Sequence, residues 1–231
     1  MGARYKSIFF DADDTLFDYP RAERAALRAC LREFSLRIDL GTFLDAYRRH
    51  NREVWQAFER GETDQAQLRV ERFRRVAAEF GLADLPVDRV SPFYLEALSR
   101  QPQLFPGALA TVRALAKTYP LALITNGIAL VQRKRFGASP ITKYFRTVVI
   151  SEEMGIAKPD PRIFAPALEA VGVAARDVLY VGDSVTSDMV AARNAGMDFC
   201  WLNPTAVPVP AGQAARFVIA DIKELRGCPG L

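Results

Sequence analysis

The feature that most restricts the fold is a long helical segment that directly follows the first predicted strand. Ser7–Phe10 is a short apolar run that ends at Asp11, which is typical of a buried strand. Residues 18–100 are rich in Arg, Glu, Ala and Leu at helical spacing and contain no convincing strand pattern. About four helices are expected there, with breaks near residues 39–41, Gly61 and Gly81.

From residue 102 onward, short apolar segments alternate with helical ones. This alternation is typical of a mostly parallel sheet with helices on both faces. Because the helical segment interrupts it, we predict an α/β core formed by residues 1–17 and 101–231, with an inserted all-helical cap at residues 18–100. The later strands are predicted at Leu121–Ile124, Thr147–Ile150, Val178–Val181, Phe199–Leu202 and Phe217–Ile219. The helices between them are predicted at residues 108–118, 129–136, 161–171 and 187–194.

Composition excludes several classes of protein. Half of the 231 residues are hydrophobic and 25% are charged, as expected for a folded chain with a sizeable core. Three cysteines without close spacing do not make a disulfide framework, and the single histidine, His50, argues against a His-rich zinc site or a His-based triad. The net charge of +4 is spread along the chain beside nearly as many acids, so no surface for a nucleic acid polymer is predicted.

Two basic clusters are predicted to lie on the solvent-facing sides of amphipathic helices. They comprise Arg69, Arg72, Arg74 and Arg75 in one segment, and Arg133, Lys134 and Arg135 in the other. The N-terminal segment turns acidic at Asp11 before the apolar core of a signal peptide could form. No apolar run approaches the ~20 residues of a membrane helix, so a cytoplasmic protein is predicted.

Four polar motifs occur at the ends of predicted strands or just before predicted helices. Each has an ordinary explanation on its own: solvated loop carboxylates, an Asn-Gly turn, a surface lysine, and a glycine turn with a serine N-cap. The motifs are Asp11–Thr15 (DADDT), Thr125–Gly127 (TNG), Lys158–Pro161 (KPDP) and Gly182–Asp188 (GDSVTSD).

The positions of these motifs together favour a single binding site. Ligands of parallel α/β sheets bind beyond the carboxyl ends of the strands. Asp11, Thr125 and Asp183 each follow a predicted strand directly, and Lys158 lies in a loop after another strand. Carboxylates, a hydroxyl and an ammonium in one crevice suit a phosphate held beside a divalent cation.

The order DxDxT, TN, KP and GDxxxxD resembles the pattern of the haloacid dehalogenase-like hydrolase superfamily and spans nearly the whole chain. The resemblance implies a Rossmann-like sheet, and it identifies the insert after the first motif as a helical cap of the C1 type. One departure is Asp14, where many members have glycine. The stretches FDADDTLF, SEEMGIAKPDPRIF and NAGMDFCWLN are most similar to the noncanonical pyrimidine 5′-nucleotidase subgroup.

The resemblance and the chemistry of phosphate esters together imply catalytic roles. Asp11 is the nucleophile that forms an aspartyl-phosphate, and Asp13 is the acid–base that protonates the leaving group and then deprotonates water. The phosphoryl oxygens are bound by Thr125, the backbone amides of Asn126 and Gly127, and Lys158.

A magnesium ion is the implied cofactor, because Mg²⁺ prefers oxygen ligands and offsets repulsion between a carboxylate and a phosphate. Asp11 and Asp183 are the implied carboxylate ligands, and the family adds the backbone carbonyl at Asp13. Asp188 either binds the metal through water or orients Lys158, and both roles stay open.

The predicted function is Mg²⁺-dependent hydrolysis of a small phosphorylated metabolite, with a pyrimidine nucleoside 5′-monophosphate as the expected substrate. The alternatives are a phosphatase for phosphoglycolate or a sugar phosphate, or a phosphomutase with the same motifs. A haloacid dehalogenase is disfavoured because its chemistry needs neither the acid–base Asp13 nor a metal site. A phospho-accepting receiver domain is disfavoured because it is shorter and lacks a helical insert. The oligomeric state is left open.

Overall fold

The computed structural model describes residues 4–231, and the chain divides into two compact units. One unit, the sheet unit, contains the chain up to Tyr19, Pro102–Ala129 and Phe136–Leu231. The other, the helical unit, contains Pro20–Gln101 and Leu130–Arg135. The helical unit therefore includes a short segment that follows the second strand, as well as the long insert after the first.

Within the described residues, the sheet unit contains six parallel strands in the order β3-β2-β1-β4-β5-β6. The strands lie at the predicted positions, and no boundary differs by more than one residue. They are β1 (Ser7–Phe10), β2 (Leu121–Thr125), β3 (Thr147–Ile150), β4 (Val178–Gly182), β5 (Asp198–Leu202) and β6 (Phe217–Ile219). The prediction of an α/β fold with a parallel sheet is confirmed.

The central strands are apolar throughout because both faces of the sheet are covered. Successive side chains of a strand point to opposite faces. Ile8 and Phe10 accordingly pack in one hydrophobic cluster, whereas Phe9 packs in another together with Tyr180. All four of these side chains are fully buried.

The helices outside the long insert differ from their predicted bounds at their first or their last turns, and one short helix, after the third strand, was not predicted. They are α5 (Ala108–Leu115), α6 (Ala129–Ala138), α7 (Ser151–Met154), α8 (Ala165–Val171) and α9 (Val190–Ala195). The helix predicted from Pro161 begins as a 3-10 turn, and its α-helical part starts at Ala165, where Pro166 occupies the first turn. The helix predicted from Ser187 begins with a turn of π-helix, Val185–Met189.

Four helices form the long insert, as predicted: α1 (Tyr19–Glu33), α2 (Leu40–Glu59), α3 (Gln65–Glu79) and α4 (Val87–Ser99). The Asp39 carboxylate accepts a hydrogen bond from the Thr42 amide and so caps α2. The first break therefore precedes Leu40, and Gly41 lies inside the helix. Asp64 caps α3 in the same way by accepting from the Gln67 amide.

The prediction that both basic clusters face solvent is wrong for Arg72 and Arg135. Arg72 is 2% exposed, and its guanidinium lies 5.0 Å from the Tyr94 ring centroid and donates to the Asn51 side chain at 3.0 Å. Arg135 is fully buried and donates to the backbone carbonyl of Gln101 at 3.0 Å. Helical periodicity does not predict these positions, because a guanidinium is buried readily where rings and carbonyl oxygens surround it.

The described part of the chain has no helix with the length and apolar character that crossing a membrane requires. The three cysteines, Cys30, Cys200 and Cys228, are buried free thiols.

Candidate active site

The nucleophile candidate, Asp11, is held at the carboxyl end of β1. Its backbone amide donates to the Val181 carbonyl at 2.8 Å, which continues the pairing of β1 with β4 beyond the end of the strand. The chain then turns sharply, since the amides of Leu16 and Phe17 both donate to the Ala12 carbonyl. Asp11 is only 6% exposed, so its carboxylate is fixed at the carboxyl edge of the sheet with little access to water.

Lys158 reaches Asp11 from a loop that is distant in sequence. Its ammonium nitrogen lies 2.5 Å from Asp11 Oδ1 and 2.6 Å from Asp188 Oδ1. The Tyr180 hydroxyl at 3.0 Å and the Ile124 carbonyl at 3.3 Å complete its surroundings. The Lys158 side chain is 2% exposed. A lone lysine is ordinarily a surface residue, and this one is a buried cation with oxygen on all sides.

Asp188 accepts a hydrogen bond from Lys158, as the orienting role that the sequence left open requires. Its Oδ1 accepts from Lys158 and, at 2.7 Å, from the Tyr180 hydroxyl. Its Oδ2 accepts from the Ser184 amide at 3.0 Å. A Cβ atom at Gly182 would lie 2.5 Å from Asp188 Oδ2, so only glycine permits this close approach.

Asp183 completes a cluster of three carboxylates with Asp11 and Asp188. Each offers one oxygen atom, and these atoms lie within 4.8 Å of one another. The Thr15 hydroxyl donates to Asp183 Oδ1 at 3.4 Å, and the Trp201 indole donates to the Asp183 backbone carbonyl at 2.8 Å. Both the side chain and the backbone of Asp183 are therefore held from neighbouring elements.

The electrostatics of the cluster follow from its burial. Burial raises the pKa of the Asp11 carboxyl, the Lys158 ammonium opposes this, and Asp188 and Asp183 add to the increase. Burial also raises the pKa of Asp183, and the carboxylates of Asp188 and Asp14 reinforce it. Burial alone would lower the pKa of Lys158, but contact with Asp11 and Asp188 outweighs it and the pKa is raised. Lys158 is therefore an ammonium.

The donor set fits a hard divalent cation. With all three carboxylates ionised, the single ammonium would leave two negative charges in a buried space. A divalent cation would neutralise this excess and bind through the carboxylate oxygens that Mg²⁺ prefers. Because the Asp188 oxygens already accept three hydrogen bonds, Asp11 and Asp183 are the members best able to act as direct ligands.

The Thr125–Gly127 motif lies at the end of β2 and is tied to the lysine loop. Thr125 is 1% exposed. The Asn126 carboxamide donates to the Lys158 carbonyl and accepts from the Lys158 amide, both at 2.8 Å. The Gly127 amide donates to the Ser151 hydroxyl at 3.2 Å. For Asn126 the sequence suggested a function only for the backbone amide, whereas the Asn126 side chain fixes the backbone of Lys158.

The four predicted residues Asp11, Lys158, Asp183 and Asp188 are brought into one cluster. Asp13 lies in the same loop as Asp11, is half-exposed, and forms a backbone bridge with Phe17. Sequence reasoning missed Tyr180, Trp201 and Ser151, which contact the cluster or the Thr125–Gly127 motif. The only available signal was a polar atom within otherwise apolar strands, at Tyr180 and Trp201.

Residues 5–196 match the model of the haloacid dehalogenase-like hydrolases. The chain belongs to this family. It is 32% identical over 219 residues to pyrimidine 5′-nucleotidase YjjG of Escherichia coli, an alignment that covers 94% of this chain and 95% of the relative. It is also 32% identical over 202 residues to pyrimidine 5′-nucleotidase PynA of Streptococcus pneumoniae, covering 87% and 84% of the two chains.

A solved structure with the same fold is that of the HAD-hydrolase YfnB of Bacillus subtilis, which was determined with magnesium bound. It superposes with a TM-score of 0.90 at 29% identity and covers 97% of this chain and 98% of that chain. The predicted family and the predicted phosphatase class of enzyme are both confirmed.

Proposed function

We propose that this phosphatase hydrolyses pyrimidine nucleoside 5′-monophosphates through a phosphoenzyme formed on Asp11. The observation that carries the mechanism is the buried cluster at the carboxyl edge of the sheet, where Asp11 lies 2.5 Å from the Lys158 ammonium and beside Asp183. The similarity to two pyrimidine 5′-nucleotidases over most of the chain supports the substrate class.

In the first half-reaction, an Asp11 carboxylate oxygen attacks phosphorus and the bond from phosphorus to the ester oxygen breaks. The departing nucleoside oxygen takes a proton from the Asp13 carboxyl. In the second half-reaction, Asp13 accepts a proton from water, and the water oxygen attacks the phosphorus of the aspartyl-phosphate. The bond from phosphorus to the Asp11 oxygen breaks, inorganic phosphate leaves, and Asp11 is restored as a carboxylate. The half-exposed position of Asp13 suits a group that must meet both the leaving group and water.

The residues around Asp11 supply charge to the transferring phosphoryl group. Lys158 carries a positive charge to within hydrogen-bond distance of the nucleophile, where the negative charge of the transition state spreads over the phosphoryl oxygens. Thr125 and the amides of Asn126 and Gly127 are the further donors proposed for those oxygens. The Gly127 amide would exchange its present partner, the Ser151 hydroxyl, for a phosphoryl oxygen.

A magnesium ion would be held by the carboxylates of Asp11 and Asp183 and by the Asp13 backbone carbonyl, with Asp188 behind them. When bound, it supplies the positive charge that lets a carboxylate approach a phosphate dianion. The Thr15 hydroxyl and the Trp201 indole fix Asp183 before any ligand arrives, so little reorganisation is required on binding.

The substrate preference is proposed to reside in the helical insert acting as a cap. Tyr47, Phe73 and Tyr94 are buried in the core of the helical unit and are unavailable to a ligand. Trp55 and Phe58, whose ring centroids lie 5.6 Å apart, are only half-buried. An aromatic ring that stacks on a base contributes about 1–3 kcal/mol, so these two residues are the first to substitute in a test of what sets substrate preference.

The test is phosphate release at fixed Mg²⁺ from UMP, dUMP, dTMP, AMP, phosphoglycolate and glucose 6-phosphate. The pyrimidine nucleotides should lead in kcat/KM by at least about 10-fold, which is about 1.4 kcal/mol of differential transition-state binding. If phosphoglycolate or a sugar phosphate leads, the nucleotidase assignment is wrong and the phosphatase mechanism survives. An Asp11→Asn variant serves as the control, since normal turnover by it would contradict the covalent mechanism.

A further inference from the structure

We propose that the Tyr180 hydroxyl is a positioning group that fixes the Lys158 ammonium for phosphoryl transfer. The inference rests on the proposed phosphatase mechanism and adds to it a residue that belongs to none of the four polar motifs. Tyr180 Oη, Lys158 Nζ and Asp188 Oδ1 form a closed triangle with sides of 2.6, 2.7 and 3.0 Å. The rigid side chain of Tyr180 therefore contacts the same Asp188 oxygen as the flexible side chain of Lys158.

The Lys158 ammonium has more oxygen atoms close to it than N–H groups to donate. An ammonium has three N–H donors, and four oxygen atoms lie within 3.3 Å of this one, from Asp11, Asp188, Tyr180 and Ile124. One contact is therefore exchangeable without leaving the ammonium under-coordinated. The oxygen that must be released during the proposed reaction is that of Asp11, because Asp11 has to attack phosphorus.

Tyr180 is suited to be the fixed member because its ring is buried and packed between other rings. It lies in β4, paired with Phe9 of β1 on one side and Phe199 of β5 on the other. Its ring packs against Phe164 at 4.9 Å between centroids and against Phe199 at 5.9 Å. The residue is fully buried. A packed tyrosine keeps almost no rotational freedom, whereas a lysine has four side-chain torsions to be restrained.

The hydrogen-bond directions also agree with this role. The Tyr180 hydroxyl donates its one hydrogen to Asp188, so its lone pairs face Lys158 as an acceptor. Asp188 is itself restrained, because its second oxygen accepts from the Ser184 amide. When Lys158 turns from Asp11 to a phosphoryl oxygen, Tyr180 and Asp188 keep its nitrogen in place.

A purely structural role is the competing explanation, since any buried hydroxyl requires a partner. The chain offers a matched control for it. Tyr5 is 2% exposed, and its hydroxyl donates to the Asp198 carboxylate at 2.8 Å, near the start of β5. Tyr5→Phe and Tyr180→Phe each remove one buried hydroxyl that donates to an aspartate, and only the second lies at the candidate site.

The experiment compares these two variants with the wild type for hydrolysis of p-nitrophenyl phosphate and the best nucleotide. Tyr180→Phe should lower kcat by about 10- to 100-fold, the usual effect of losing a hydrogen bond to a charged group, with KM within about 3-fold because ground-state binding is kept. Tyr5→Phe should lower the melting temperature to a similar degree and leave kcat unchanged. Circular dichroism of both variants verifies that the fold is retained.

Orthovanadate and inorganic phosphate provide a second readout, as mimics of the transition state and of the product. In Tyr180→Phe the inhibition constant of orthovanadate should rise by about the same factor as kcat/KM falls, and that of phosphate should hardly change. A folded Tyr180→Phe with wild-type kcat and wild-type vanadate inhibition would overturn the positioning role. A wild-type protein that releases no phosphate from any monoester would overturn the proposed function instead, so the two failures are distinguishable.

Discussion

Asp11 and Asp13 are two residues apart in one loop, and their surroundings differ in the way that their proposed roles require. Asp11 is buried against the Lys158 ammonium, which opposes the rise that burial causes in the pKa of the Asp11 carboxyl. Asp13 is half-exposed and can exchange a proton with the leaving group and with water. One short turn thus places the proposed nucleophile, which is buried, beside the proposed acid–base, which is accessible.

At this scale we expect Asp13→Ala to lower the rate for an alkyl phosphate by ~10²–10⁴-fold, the usual contribution of general acid–base catalysis. The loss should be much smaller for p-nitrophenyl phosphate, because its leaving group needs little protonation. The measurement is kcat/KM for both esters. Asp177→Ala, which removes a carboxylate paired with Lys6 at 2.8 Å outside the site, is the control. Equal losses for the two esters would contradict the leaving-group role.

The sequence predicts the charged residues of the site far better than their supports. Asp11, Lys158 and Asp183 belong to motifs whose order is visible in the chain. Tyr180 and Trp201 lie within strands whose neighbours are apolar and buried, so their pattern indicates only core. Their polar atoms contact Lys158 and Asp183, which are far away in sequence. The periodicity of a strand does not predict such contacts.

At the scale of elements, the end of β4 sets the geometry of the last motif. Gly182 ends the strand, and a turn of π-helix from Val185 to Met189 brings Asp188 back against it. The Asp188 Oδ2 atom would lie 2.5 Å from a Cβ at Gly182. The spacing of the motif therefore reflects the number of residues needed to return a carboxylate to the end of its own strand.

We expect Gly182→Ala to lower kcat by at least about 10-fold and to destabilise the fold by roughly 1–3 kcal/mol, as overpacked sites do. The added methyl group must displace Asp188 and with it Lys158. Gly137→Ala is the matched control, because Gly137 is exposed in α6 and a Cβ there meets nothing within 4 Å. That variant should be fully active and more stable by about 0.5–1 kcal/mol. Urea denaturation measures the free energy of unfolding of each variant, and phosphate release measures its kcat. If the two variants changed both quantities equally, the packing argument would be refuted.

Strands were easier to predict than helix starts for a physical reason. A strand buried on both faces is a continuous apolar run, and β1, β3 and β6 have the predicted bounds. A helix start depends on local caps and prolines, so Pro166 and the Ser184 cap moved two helices away from their predicted first turns. Periodicity alone does not distinguish a 3-10 or π turn from the first turn of an α-helix.

At the scale of the whole molecule, the site unites distant parts of the chain. Asp11 precedes the helical insert, and Lys158, Asp183 and Asp188 follow it. The insert could be recognised because its helical pattern interrupts a strand–helix alternation. The sequence did not predict that Leu130–Arg135 belongs to the helical unit. This assignment depends on tertiary contacts, such as the hydrogen bond from the buried Arg135 guanidinium to the Gln101 carbonyl.

The clustered carboxylates predict that Mg²⁺ stabilises the folded protein. A cation that binds only the native state adds about 2.7 kcal/mol at a concentration 100 times its dissociation constant. For a chain of this size, that gain raises the melting temperature by roughly 5–10 °C. The measurement is thermal unfolding in EDTA and in Mg²⁺, with NaCl added to equalise ionic strength.

The Asp183→Asn variant makes this prediction specific to the site, because it removes one of the two proposed carboxylate ligands and should abolish most of the Mg²⁺ shift. It also removes a negative charge beside Asp11 and Asp188, so in EDTA the variant should be at least as stable as the wild type. A smaller rise of its melting temperature in Mg²⁺ then cannot be attributed to a generally less stable fold. Asp221→Asn, which alters a carboxylate paired with Lys223 at 2.8 Å, should keep the full shift. An equal Mg²⁺ shift in Asp183→Asn and the wild type would exclude Asp183 as a ligand.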